Sequence, residues 1–106
     1  MHKGRIVLVP FPFTDLSGQK VRPALVLHVS KGEDSIVAFI SSARGRKYPF
    51  DVSIQATNRN GLKMDSVIKV DKIATLQKKI ILGEIGIAEK SVIASVDLAL
   101  QKLFKL

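Results

Sequence analysis

The segment from Gly4 to Leu27 constrains the fold of this chain more than any other. One apolar run covers Ile6–Val9 and a second runs from Ala24 to Val29, and both predict short buried strands. Residues 10–20 between them are rich in proline, glycine and small polar side chains, and they are too many for a tight hairpin. We therefore expect two strands joined by a long surface loop.

Arg22 stands where this loop meets the second strand. Pro23 has no backbone N–H and biases Arg22 toward an extended conformation, so we expect the guanidinium to lie where the loop meets the strand. Loops on a rigid scaffold often carry function, so a cation at this junction is a natural anion site. The alternative is an ordinary surface arginine paired with Asp15 or Asp71.

Further short runs predict additional strands. Phe50–Ile54 alternates apolar and polar residues, which is typical of a half-buried strand, and in Ser66–Ile73 we expect Lys69 and Asp71 to share one face. The other predicted features are a strand at Ser35–Ile40, a connection at Thr75–Lys79, an edge strand at Ile80–Leu82 and turns at Gly83 and Gly86.

The spacing of apolar residues changes near the end of the chain. From Glu89 to Phe104 apolar residues recur at spacings of three and four, which predicts an amphipathic helix with Glu89 in its first turn and Phe104 on its apolar face. Strands followed by one helix, without βαβ alternation, predict a mainly β (α+β) fold. We expect a small curled antiparallel barrel of five to six strands with a C-terminal helix, forming a single domain over residues 1–106.

The charge of the chain indicates a polyanionic partner. Its 17 lysines and arginines against 9 acidic residues give a net charge of +8. Nucleic acid is the leading candidate, because clustered cations on a phosphate backbone gain affinity from counterion release. A basic surface that serves only solubility is the alternative.

Several classes of chemistry find no support in the sequence. There is no cysteine, which excludes disulfides and thiolate metal sites and is typical of a reducing cytoplasm. The two histidines, His2 and His28, are too far apart in sequence to indicate a metal centre. The apolar runs are too short to span a bilayer. We therefore expect no metal, no cofactor and no membrane partner.

The remaining side chains suit metal-independent phosphodiester chemistry, in which a ribose 2′-hydroxyl attacks its own phosphate. That reaction needs cations and hydrogen-bond donors, and a guanidinium such as that of Arg22 binds two phosphate oxygens at once. Ser41 and Ser42 end the strand expected beside Arg22 and offer a hydroxyl donor, while Lys69 with Asp71 offers a second cation and its partner. Taken singly, each of these residues is also explained as an ordinary surface or strand-end position.

The order of motifs resembles the MazF/PemK-type toxins, which are endoribonucleases of toxin-antitoxin pairs. The similarity extends over almost the whole chain. Its landmarks are Gly4–Asp15, Arg22–Leu27 (RPALVL), Ile36–Ser41, Gly61–Ser66 (GLKMDS), Val70–Leu76 and Ile85–Gly86 before a helix. The resemblance implies an SH3-like barrel, a homodimer, cleavage of single-stranded RNA and inhibition by a cognate antitoxin protein.

The resemblance also assigns residues. It implies that Arg22 is the active-site arginine and that Ser41 takes the place of a catalytic threonine, with the hydroxyl retained. Lys69 and Asp71 fall where some members have a functional arginine and aspartate, and Ala74 stands where an arginine is often found.

Two further functions fit the same residues. A non-catalytic nucleic-acid-binding module would have the same charge, and the same barrel occurs in a toxin that poisons DNA gyrase without cutting. The side chains expected to bind substrate suit all three functions, since Phe13 can stack on a base and the lysines and arginines can bind phosphates. The full substrate-binding set is Phe13, Lys20, Ser42, Arg44, Lys47, Lys69 and Asp71.

Overall fold

The computed structural model describes residues 1–11, 20–42 and 48–106. Within these ranges the chain forms a mainly β fold with a C-terminal helix, as predicted. The elements are β1 (Arg5–Phe11), β2 (Lys20–Val29), β3 (Asp34–Ser41), β4 (Asp51–Ile54), β5 (Ser66–Gln77), a 3-10 turn (Lys78–Ile80), β6 (Gly83–Ile87) and α1 (Lys90–Phe104).

The six strands form one antiparallel sheet in the order β4-β5-β3-β2-β1-β6. β1, β2 and β3 pair in chain order as an antiparallel meander. Register shifts in the β1/β6, β2/β3 and β3/β5 pairs bend the sheet, since extra residues on one strand increase its local twist. The sheet curls so far that Ser66 of β5 and Ile85 of β6 line one groove, although three strands separate them.

The main core lies between the concave face of this sheet and α1. β1 to β5 each contribute buried members and β6 adds the half-buried Ile85, because alternate residues of each strand point to the same face. The helix adds the fully buried Val96 and a row of half-buried residues, as its three-and-four spacing predicts. Sheet residues of this core include Ile6, Leu25, Ala38, Ile40, Ile54, Ile68 and Val70.

The opposite face of β1–β3 carries a second, smaller cluster. Val7, Val9, Ala24, Val26 and Val37 are all fully buried there. This explains why the β1 sequence is continuously apolar rather than alternating, since both of its faces are removed from water.

β5 is bent in its middle. Ala38 of β3 pairs with Ile73, whereas the next residue, Phe39, pairs with Lys69, so residues 70–72 form a bulge. The bend lets the first part of β5 pair with β4 while the second part continues to Gln77, beyond the predicted end. Asp71 lies within the bulge and Lys69 before it, so the expected common face of one regular strand is interrupted.

Three predictions for the region before the helix are wrong. Thr75 belongs to β5 rather than to a connection, Ile80–Leu82 is not a strand, and Gly83 and Gly86 lie inside β6 instead of marking turns. Packing explains why residue 86 is a glycine. A Cβ at this position would collide with the backbone of Arg59 and Asn60, so glycine is needed where the loop crosses the strand.

The helix differs from expectation at both ends. Glu89 is the N-cap with an extended backbone, rather than a first-turn residue. Phe104 is 57% exposed, although its spacing places it with the apolar set. The chain turns away directly after it, because Lys105 adopts a left-handed conformation.

Gly61→Ala should destabilise the fold. Gly61 has a φ of +73°, and a Cβ there would collide with the carbonyl oxygen of Ile85. Left-handed backbone strain together with that collision should cost about 2 kcal/mol or more of unfolding free energy, measured by urea denaturation. Gly32→Ala is the control, since Gly32 has open space and should change the free energy by no more than about 0.5 kcal/mol. Equal stability of the two variants would contradict this explanation.

Candidate functional site

A small cleft brings cations from two strands together on the convex face of the sheet. We call it the cationic cleft. It has a volume of about 190 Å³ and is lined by Arg22, Phe39, Ile40, Ser41, Lys69 and Lys72. It therefore contains three cations and one hydroxyl, with no carboxylate among the lining side chains that the structure describes.

Strand register places these residues side by side. β2 pairs with β3 up to Ala24 opposite Phe39, and the same register continued by two residues sets Arg22 opposite Ser41. On the other side of β3, Phe39 pairs with Lys69. Because alternate residues share a face, Arg22, Ser41 and Lys69 meet on one surface, which confirms that the third strand neighbours Arg22.

Arg22 is half-buried and keeps its charge available. It makes no hydrogen bond or ion pair with any residue in the described ranges, so a pairing with Asp71 is ruled out there. The proposed pairing with Asp15 falls outside the described residues. A partly desolvated guanidinium without a carboxylate neighbour is well suited to binding an anion.

Lys69 is held by a buried carboxylate. Its Nζ donates to Asp51 Oδ2 at 2.9 Å, and the two residues lie directly opposite each other on β5 and β4. The side chain of Asp51 is only 1% exposed, although strand alternation predicts an exposed position. Asp51 does lie on the face away from Ile54, but Lys69 and the backbone N–H of Tyr48 enclose its carboxylate. The partner of Lys69 is therefore Asp51 and not Asp71.

A larger groove begins on the other side of Arg22. We call it the apolar groove. It has a volume of about 430 Å³, and its floor is apolar with Arg22, Lys63, Ser42 and Ser66 at polar positions; the other lining residues are Leu8, Val21, Pro23, Ile40, Gly61, Leu62, Met64 and Ile85. Arg22 and Ile40 line both sites, so one ligand can contact the two together.

A hydrogen-bond network fixes the loop that forms one wall of the apolar groove. The side chain of Asn60 is fully buried, accepts the N–H groups of Thr57 and Leu62, and donates to Gln55 and to Glu89 Oε1 at 3.1 Å. The Thr57 hydroxyl donates to Glu89 Oε2 at 2.7 Å. The loop is therefore tied to the N-cap of α1.

The same contacts change the acidity of Glu89. The hydrogen bond from the Thr57 hydroxyl, helped by the one from Asn60, stabilises the ionised carboxylate and lowers the pKa of Glu89. The ionised Glu89 thus helps to hold the loop that forms this wall.

The structure separates the predicted site residues into groups. Arg22, Ser41 and Lys69 come together in the cationic cleft, and Ser42 lies in the apolar groove. Lys20 is exposed at the start of β2 and Asp71 is exposed in the β5 bulge, and neither lines the cleft or the groove. Phe13, Arg44 and Lys47 lie outside the described residues.

Sequence reasoning missed Lys72, Lys63 and the pair formed by Tyr48 and Asp51. Lys72 reaches the cleft through the β5 bulge, which no periodicity indicates. In the sequence, Tyr48 and Asp51 are simply an aromatic and an acidic residue near a proline. Their contacts with Lys69 depend on the pairing of β4 with β5, which the sequence does not reveal.

The described ranges contain neither a metal-binding cluster nor a membrane-spanning helix. No group of three or more acidic, histidine or cysteine side chains there is arranged to hold a metal ion. No helix of those ranges is both long and apolar enough to cross a membrane.

Comparison with known proteins relates this chain and its fold to one family. A family model described as "PemK-like, MazF-like toxin of type II toxin-antitoxin system" matches residues 2–104. No curated protein sequence matches significantly.

Solved structures agree over nearly the whole chain. The MazE-MazF structure from Deinococcus radiodurans has a TM-score of 0.82 at 24% identity, covering 100% of this chain and 96% of that one. The Mycobacterium tuberculosis toxin MazF-mt6 has a TM-score of 0.79 at 24% identity, with coverages of 96% and 97%. A mycobacterial endoribonuclease in complex with its cognate antitoxin has a TM-score of 0.77 at 17% identity, with coverages of 100% and 96%.

Glu89→Gln should change how stability depends on pH. Because the pKa of Glu89 is lowered in the folded protein, its charge contributes stability above the ordinary glutamate pKa of about 4.3, and this contribution is lost as pH falls through the folded-state pKa. The stability difference between wild type and variant, from urea melts, should be constant above that range and shrink in acid. A difference that stays constant down to strong acid would contradict the assigned role.

Proposed function

The chain belongs to the PemK-like, MazF-like toxins of type II toxin-antitoxin systems, and on that premise we propose that it is a metal-independent endoribonuclease. Its substrate is single-stranded mRNA, cut at selected sequences in the cytoplasm. The observation that carries this proposal is the cationic cleft, where Arg22 lies beside a hydroxyl and two lysines without a described carboxylate to neutralise it.

In the proposed reaction the ribose 2′-oxygen attacks the adjacent phosphorus. The bond from phosphorus to the 5′-oxygen breaks, the 2′-proton is lost to a base, and the leaving 5′-oxygen takes up a proton. The products are a 2′,3′-cyclic phosphate and a 5′-hydroxyl. Arg22 binds the non-bridging oxygens as their charge grows, and Ser41 donates a hydrogen bond to the same group.

The lysines of the cleft increase its positive field. Lys69 and Lys72 attract the phosphate and stabilise the dianionic transition state, and the Asp51 ion pair fixes where the Lys69 ammonium lies. Arg22 does not act as the base, because a guanidinium stays protonated at ordinary pH.

The RNA nucleotides on either side of the scissile phosphate are bound outside the cleft. The apolar groove, with Ser42 and Lys63, is adjacent through Arg22 and accepts one flanking nucleotide. Phe13, Lys20, Arg44, Lys47 and Asp71 are proposed as further RNA contacts.

We also propose a cognate antitoxin as the inhibitor. A segment with both acidic and apolar side chains matches the apolar groove, where Arg22 and Lys63 border an apolar floor. The mycobacterial endoribonuclease structure is a complex with its cognate antitoxin, and the Deinococcus structure is of MazE with MazF. Occupation of the groove would cover Arg22 and block the cleft.

The active protein is proposed to be a homodimer. Leu98, Phe104 and Leu106 on and after α1 are all more than half exposed, and together they offer an apolar contact surface.

Two alternative functions can be distinguished from the nuclease by experiment: a non-catalytic nucleic-acid-binding module and a gyrase-inhibiting toxin. Incubation with a long unstructured RNA in EDTA separates them from the nuclease. Discrete cuts support the enzyme, retarded but intact RNA supports the binding module, and inhibition of gyrase supercoiling with no effect on RNA supports the third.

Arg22→Ala should nearly abolish RNA cleavage while the protein stays folded. The guanidinium contributes to the transition state and packs little against the core, and losing one such donor typically costs about 2.7–4 kcal/mol, or roughly a hundredfold or more in rate. The measurement is the single-turnover cleavage rate of a mapped RNA, with the circular dichroism spectrum as the test of folding.

Arg59→Ala is the matched control. Arg59 is an exposed arginine that lines neither the cationic cleft nor the apolar groove. This variant should cleave RNA at nearly the wild-type rate. Cleavage by Arg22→Ala at the rate of Arg59→Ala would remove Arg22 from the mechanism.

Replacing one ribose by deoxyribose at the scissile position should stop cleavage without preventing binding. This change removes the nucleophile itself, whereas the phosphate and bases that the protein contacts are kept. Cleavage of the all-ribose oligonucleotide in EDTA and analysis of its ends should show a 2′,3′-cyclic phosphate. Cutting of the chimera, or a requirement for added magnesium, would refute internal 2′-attack.

A further inference from the structure

Tyr48 stands at the edge of the cationic cleft. Lys69, which lines the cleft, places its Nζ over the Tyr48 ring at 4.8 Å from the ring centroid. This is within the range of a cation–π contact. The cleft therefore has an aromatic ring beside its cations.

The Tyr48 ring has no part in the core. The residue is 55% exposed and belongs to neither apolar cluster of the described chain, whereas nearby Phe50 packs against the main core. With Lys69 over the ring and more than half of the residue still exposed, aromatic surface remains open to a ligand.

One buried carboxylate holds both members of this pair. Asp51 Oδ2 accepts the backbone N–H of Tyr48 and the Nζ of Lys69, each at 2.9 Å. The Asp51 N–H donates in turn to the carbonyl oxygen of Tyr48 at 3.0 Å, which closes the turn. The backbone of Tyr48 and the ammonium of Lys69 are thus held relative to each other by a single side chain.

The electrostatics of Asp51 strengthen this hold. Its side chain is almost fully buried, and Oδ1 has no hydrogen-bond partner among the described residues. Lys69 is the only described cation that pairs with it. Moving Lys69 away would leave a buried charge uncompensated, so the lysine is kept in place over the ring.

We propose that Tyr48 and Lys69 form a nucleobase-stacking subsite for the nucleotide next to the scissile phosphate, with Asp51 as its positioning residue. This inference rests on the proposed RNA cleavage and names where a neighbouring base is bound. A base stacks on the exposed surface of Tyr48 while its phosphate lies among the cations of the cleft. Stacking accepts any base, so the subsite supplies affinity and alignment rather than sequence selectivity.

The subsite is tested with the non-cleavable chimeric oligonucleotide, carrying the fluorescent base 2-aminopurine on either side of the scissile step. Stacking on an aromatic ring quenches this fluorophore. Wild-type protein and Tyr48→Phe should both quench it at one of the two positions. Tyr48→Ala should lose the quenching and bind about tenfold more weakly.

Leu82→Ala is the control, because Leu82 is a large apolar residue that is 59% exposed but lines neither the cleft nor the groove. It should keep wild-type quenching and affinity. Asp51→Asn keeps the shape of the side chain but not its charge. It should reduce quenching while Tyr48 is still present, which a purely structural aspartate would not do in a variant with an unchanged circular dichroism spectrum.

The outcomes separate this inference from the proposed function. If Tyr48→Ala quenches and binds like wild type while RNA is still cleaved, the subsite is wrong and the nuclease stands. If only binding of an antitoxin peptide responds to Tyr48→Ala, the subsite is equally wrong. If wild-type protein neither binds nor cuts RNA, both proposals fall.

Discussion

The position of β3 between β2 and β5 is the constraint on which the rest of the structure depends. Its register with β2 sets Arg22 opposite Ser41, and its register with β5 brings Lys69 opposite Phe39. A slip of one residue in either pair would send the side chains to the other face of the sheet. Packing of apolar clusters on both faces of β1–β3 opposes such a slip, since it would exchange the closely packed members of the two clusters and turn Arg22 toward the main core.

The two cations that lie beside β3, Arg22 and Lys69, are held in different ways. Arg22 is half-buried on the face opposite the main core without a described carboxylate, whereas Lys69 is anchored by the buried Asp51. The first cation is free to bind a ligand and the second is fixed in place. A net charge of +8 favours a polyanion over a distance, and in the proposed complex the anchored pair sets where its phosphate is held.

The C-terminal half supports the site through backbone contacts. The loop that forms a wall of the apolar groove passes so close to β6 that Gly61 and Gly86 cannot carry a Cβ without collision. Asn60 and Glu89 connect the same loop to α1. Packing of the helix and shape of the groove are therefore linked, although no helix residue lines the groove in the described chain.

The sequence by itself determined the local elements and the family. The apolar runs of β1, β2 and β3, the helix up to Leu103, and the Arg22-Pro23 junction follow from side-chain period and backbone stereochemistry, which act over a few residues. Only the tertiary structure decided that β5 bulges at residues 70–72, that Asp51 is buried beneath Lys69, and that the glycines at 83 and 86 lie in a strand. Each of these depends on the register between strands distant in sequence, and pairing between strands leaves no periodic signal in either one alone.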